Sequence, residues 1–121
     1  MSDPVVQWQI VTTSPDSVAA FCQKLFGWTI TTNNALAYRE VETGNGGTKG
    51  GIWPAPPEAH SFVQLFVSVG DVTRSVEQAV KLGGRVIVPP TTLPDGDTMA
   101  IIADPNGITF GLMQGQAASG R

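Results

Sequence analysis

Residues 5–11, VVQWQIV, alternate in the manner of a half-buried strand, and a helical signature follows at once. Ser14 offers an N-cap, Pro15 fits the first helical position and Asp16 favours the positive end of the helix dipole. Val18, Phe21, Cys22 and Leu25 then recur at i, i+3, i+4 and i+7, predicting a single buried face, and Gly27 supplies the stop. The same order returns later in the chain. FVQLFVSV (62–69) predicts a strand, Asp71 a cap, Val72, Val76, Ala79 and Leu82 a helical face, and Gly83-Gly84 its end. Each helix is followed by three short apolar runs bounded by turn residues. They are WTITT, ALAYREV and KGGIW in the first half, then RVIVP, TMAIIA and ITFGLM in the second.

A shift of 57 positions superposes residues 7–30 on 64–87 without a gap, placing Gln7 on Gln64, Lys24 on Lys81, Leu25 on Leu82, Gly27 on Gly84 and Ile30 on Ile87. Because these identities fall on matching structural signals, they indicate a duplicated supersecondary unit. The predicted organisation is strand, helix, three strands, twice over. Module one spans about 5–53, a linker about 54–61, module two about 62–114 and a C-terminal tail 115–121, all within one domain. The linker contains PAPPEAH, whose prolines cannot extend a hydrogen-bonded ladder.

Composition narrows the function classes. The chain has 121 residues, 41% of them apolar and only 14% charged, against roughly 25% charged in an ordinary soluble protein. The surface must therefore rely on neutral polar residues or be partly covered by a partner. A net charge of -3 with no Lys/Arg cluster removes the electrostatic footprint of nucleic-acid binding. No apolar run approaches a membrane span and no basic-then-apolar leader opens the chain, so the expectation is a cytoplasmic protein without membrane contact. Cys22 is the single cysteine, which excludes an intrachain disulfide and a thiolate cluster, and its place in an apolar helical pattern predicts a buried small hydrophobe.

The duplicated pattern, with FCQKLFGW ending the first helix, KLGGRVIVPP ending the second and ADPNGITFGLMQ closing the chain, resembles the glyoxalase/bleomycin resistance/extradiol dioxygenase superfamily, the vicinal oxygen chelate proteins. The resemblance covers nearly the whole chain. It implies an α+β fold of two tandem βαβββ modules forming a curled mixed β-sheet cup with helices on the outside. Members of that superfamily typically hold a divalent metal in the cup, through residues on the first and last strand of each module. The corresponding positions here are Gln7, Gly51, Gln64 and Gly111. Glycine has no donor, and two neutral amides do not replace the imidazoles and carboxylates that bind such ions. The expectation is a cup with no metal and no cofactor.

Several other residues invite a functional reading. Strand alternation places Gln7 and Gln64 toward the cup and Trp8, Ile10, Leu65 and Val67 toward the helices. By the same parity Trp53 follows Gly51, Met113 follows Gly111 and Phe66 follows Gln64, giving an apolar site with a few amides, which the two glycines would widen. His60, the only histidine, precedes the second module's first strand and reads as a solvated loop residue or a pocket rim. Asp104-Pro105-Asn106-Gly107 match a type I turn. The run GNGGTKGG (44–51) lacks the order of a phosphate-binding loop and reads as a flexible hairpin, where Lys49 could attract an anion.

Together these features predict a metal-independent small-molecule-binding protein, similar in principle to the bleomycin resistance proteins, that sequesters a hydrophobic or aromatic metabolite or antibiotic. The ligand-binding set is Gln7, Gln64, Trp53, Phe66, Gly111, Met113 and His60. The rival is a lyase, isomerase or dioxygenase with a displaced metal site, or with acid/base chemistry at Glu40, Glu42 or His60. A pure interaction module is the third reading. The resemblance also implies a homodimer.

Overall fold

The computed structural model describes residues 2–32, 38–44 and 46–114. Part of the run ALAYREV, Asn45 of the glycine-rich hairpin and the tail 115–121 lie outside them. The fold is α+β, with eight strands and two helices in the order β1 (Val5–Thr12), α1 (Pro15–Phe26), β2 (Thr29–Thr31), β3 (Arg39–Glu42), β4 (Gly50–Pro54), β5 (Phe62–Ser68), α2 (Val72–Lys81), β6 (Arg85–Thr92), β7 (Thr98–Ala103) and β8 (Thr109–Gln114). This is βαβββ, repeated. The chain divides into two compact units, one of Val6–Gln64 and one of Met1–Val5 with Leu65–Arg121.

In the first unit the strand order is β2-β3-β4-β1. β1 runs parallel to β4, with Gln9 opposite Gly51, and β4 and β2 both pair antiparallel with β3. Pro15 opens α1 at its first turn and Gly27, at φ 72°, closes it by donating to the Gln23 carbonyl, because only glycine enters that left-handed region without cost. Ser14 does not cap through its hydroxyl. Its N–H instead donates to Thr12 Oγ1 (3.1 Å), and that buried hydroxyl also accepts from Ser61 Oγ (2.9 Å). The core comprises Ala19, Val41 and Ile52, with Trp8, Ile10, Val18, Trp28 and Ile30 packed around them. Arg39 reaches from β3 to Asp16 on α1, fastening the helix to this same face of the sheet.

The face of α1 differs from the periodicity. Ala19 and Cys22 are buried, whereas Phe21 and Leu25 are 62% and 60% exposed. The helix is rotated so that its small residues meet the sheet, since Trp8 and Trp28 already fill the neighbouring volume with their rings 5.5 Å apart. Burial pushes the Cys22 thiol up, consistent with a packed hydrophobe.

The second unit repeats the plan as β5-β8-β7-β6, with β5 parallel to β8 and the remaining pairs antiparallel. Asp71 caps α2 by accepting from the Arg74 N–H (3.1 Å), and Gln114 Oε1 accepts from the Val72 N–H (2.6 Å). Val69, Val72, Val76, Ala100 and Leu112 form the core, with Val67 and Ile102 against it. Leu82, expected on the helical face, is the C-cap and stands exposed, because the chain turns away there through Gly83 at φ 95°. The Asp104–Gly107 turn forms as the sequence indicates, with Gly107 N–H bonded to the Asp104 carbonyl (3.0 Å).

Candidate functional site

Because the hydrophobic core of the first unit lies on one face of its sheet, alternation assigns the other face to Gln7, Gln9, Tyr38, Glu40, Gly51 and Trp53. Register makes this a compact set. Gln9, Gly51 and Glu40 stand side by side across β1, β4 and β3, and the Tyr38 ring lies 5.6 Å from that of Trp53 at 51°. Gln9 is buried and Gln7 and Trp53 are half-buried.

Gly51 is the centre of this face. A Cβ built there would fall on the hydroxyl and the adjoining ring carbon of Tyr38. The phenol thus fills the space into which a side chain at residue 51 would project. Burial, and then the carboxylate of Glu40, push the Tyr38 hydroxyl up to about 12, so it remains a neutral phenol throughout the physiological range. Glu42, opposite Thr29 on the strand edge, is paired with Lys49 Nζ at 3.5 Å, which engages the cation expected to attract anions.

The equivalent face of the second unit uses the same device. Phe66 lies opposite Gly111 in the β5–β8 register, and a Cβ at residue 111 would stand 2.5 Å from the Phe66 ring. Met113 follows on that face, half-buried and opposite Met99 and Ser68. Gln64 is buried on β5. His60 is exposed on the connection before β5. The sequence reading expected glycines at 51 and 111 to widen a cavity. The structure instead has an aromatic side chain over each, and the absence of a Cβ is what admits the ring.

A divalent ion does not fit these residues. The two positions on the last strands carry no donor, aromatic groups occupy the volume a longer side chain would need, and among the described residues no group of three or more His, Cys, Asp or Glu converges. The sequence pattern singles out neither Tyr38 nor Gln9. Gln9 shares the parity of Gln7, a signal that was available, whereas Tyr38 could be placed only once the β3–β4 register was known.

Residues 6–113 match the model of the glyoxalase-like domain, and the chain belongs to that family, within the vicinal oxygen chelate superfamily. Among curated proteins it is 26% identical over 109 residues to the proteins named "Putative glyoxylase CFP32" of Mycobacterium bovis and Mycobacterium tuberculosis, a match covering 88% of this chain. The chain spans 42% of the length of those relatives. Among solved structures, hypothetical protein BH1468 from Bacillus halodurans C-125 superposes with a TM-score of 0.68 at 12% identity, over 98% of this chain and 99% of that one. Methylmalonyl-CoA epimerase from Mycobacterium tuberculosis gives 0.62 at 13% identity, over 92% and 87%. At such identities the likeness is one of fold. No helix among the described residues is long and apolar enough to cross a membrane.

Proposed function

We propose that the chain is a metal-independent binder of a small organic molecule, taken up on the face that carries Gln7, Gln9, Tyr38 and Trp53, and that it sequesters a hydrophobic or aromatic metabolite or antibiotic. The observation that carries this reading is the Tyr38 phenol seated over Gly51. It replaces a metal-ligand position with an aromatic wall and a neutral hydroxyl, beside an indole and two amides. Such a mixture of apolar surface and sparse polar groups suits an uncoordinated organic ligand. Phe66 and Met113 would play the corresponding part in the second unit.

The test is a fluorescence titration of chelator-treated protein with flat aromatic metabolites and antibiotics. Trp8 and Trp28 are paired within the helix-side core, so Trp53 is the one indole placed to report. We expect a saturable response that Trp53→Phe removes and Trp28→Phe preserves. If only Trp28 responds, or nothing does, the interaction-module reading replaces this one.

A second reading is favoured by the juxtaposition of Glu40 and Tyr38 on the same face. A carboxylate base beside a neutral phenol is the pair that metal-free proton abstraction next to a carbonyl requires, and the fold is that of an epimerase. Exchange of a substrate C–H proton with deuterated solvent, lost in Glu40→Gln, distinguishes this enzyme from a binder.

A further inference from the structure

The charge distribution on the Tyr38/Trp53 face narrows the ligand. Each cation near this face is committed: Lys49 faces Glu42, and Arg39 points to the opposite side of the sheet, where it pairs with Asp16. Glu40 has no such cation among the described residues, and its carboxylate is close enough to the Tyr38 hydroxyl to raise its proton affinity. What remains is two aromatic rings in a tilted pair, two amides and one carboxylate without a counter-charge. Aromatic faces attract organic cations through their quadrupoles, and an adjacent carboxylate adds to that attraction. An anion would meet the opposite: a like charge, no guanidinium or ammonium among the described residues beyond the exposed Lys49 already paired with Glu42, and an overall protein charge of -3.

We infer that the ligand is an organic cation, a protonated or quaternary amine borne on a flat apolar body, held by the Tyr38 and Trp53 rings with Glu40 as its counter-ion. This rests on the binding reading above and gives it a substrate class. Glu40 is exposed, so solvent moderates its share, and a five- to tenfold effect is about what such an exposed pair and a cation–π contact supply together.

Isothermal titration at pH 8 with four probes tests this: N-methylquinolinium (a cation), quinoline (its neutral counterpart), 2-naphthoate (an anion of the same shape) and propionyl-CoA. The expected result is that N-methylquinolinium binds about five- to tenfold more tightly than quinoline, that the two anions bind least, and that Glu40→Gln cuts the cation's preference to about two- to threefold, the share left to the rings. Glu40 is exposed and outside the core, and circular dichroism verifies that the variant folds. Equal affinity for cation and neutral probe, or an unchanged preference in Glu40→Gln, overturns the cation assignment while leaving the binding function standing. Tighter binding of 2-naphthoate or propionyl-CoA overturns it in favour of an anionic ligand. Failure of every probe regardless of charge counts against the binding function itself, and the inference falls with it.

Discussion

Substituting Gly111 by alanine adds one methyl group at a point with no room for it. The new Cβ would stand 2.5–2.6 Å from three ring atoms of Phe66, where ordinary contact begins near 3.4 Å, so something must give by almost 1 Å. Phe66 is 2% exposed and has no solvent to swing into, and β8 is held from both sides, with Gly111 opposite Phe66 on β5 and Ile101 on β7. Overpacking of this kind costs about 1–3 kcal/mol, while the smaller conformational freedom of unfolded alanine returns about 0.4–1 kcal/mol. The expected net loss is roughly 1–2 kcal/mol, or about 3–10 °C in Tm for a domain of this size. Gly70→Ala is the control, since nothing lies within 4 Å of its Cβ and its φ is not left-handed; it should be neutral or slightly stabilising. Chemical denaturation of Gly111→Ala, Phe66→Leu and the double variant closes the cycle. The pair should be less destabilising than the sum by about 1 kcal/mol or more, because the smaller leucine vacates the space the methyl needs. If Gly111→Ala melts with the parent protein, or its cost is the same in the Phe66→Leu background as beside the native ring, the ring-over-glycine account is wrong.

Three other outcomes are expected. Gly51→Glu alone should not confer stoichiometric zinc, nickel or manganese, because Tyr38 holds the space; elemental analysis after dialysis checks this, and one tightly held equivalent per chain contradicts it. Asp104 accepts from the N–H groups of Ile108 and Asn106, the first being the main reason its carboxyl lies below the ordinary value of 3.8. That stabilisation is present above pH 3.8 and is lost as pH falls through the lower, folded value. Asp104→Ala should therefore lower Tm at pH 7 and flatten its decline in acid, and parallel Tm profiles for parent and variant would exclude the linkage. For the homodimer that the family resemblance implies we expect sedimentation near twice 12.7 kDa, with dissociation on Phe21→Ser/Leu25→Ser, since those side chains form an exposed apolar ridge on α1; a parent protein that sediments as a monomer refutes the dimer.

Local signals carried the architecture. Proline at the start of α1, glycine at its end and aspartate capping α2 all lie where the pattern placed them, since caps and periodicity are written in adjacent residues. The rotation of α1 was not legible, because Phe21 and Leu25 satisfy helical spacing as well as Ala19 and Cys22 do, and the choice is made by tryptophans on neighbouring strands. The site was half legible. The repeat pairs Gln7 with Gln64 and the family resemblance points to Gly51 and Gly111, but which side chain lies over each glycine depends on pairing between strands far apart in sequence. Tyr38 joins Gly51 only through the register of the β3–β4 hairpin, whose glycine-rich connection does not fix that register from sequence.

The central claim is that a neutral phenol and an aromatic wall stand where the superfamily places metal ligands, and that binding proceeds without an ion. The most direct measurement is a titration of N-methylquinolinium into chelator-treated protein, repeated with zinc, nickel or manganese supplied at one equivalent, and repeated again with Tyr38→Ala. The account predicts superimposable isotherms with and without metal, and binding weakened roughly tenfold by loss of the ring. Binding that appears only when a metal is supplied, or that is unchanged in Tyr38→Ala, would contradict it.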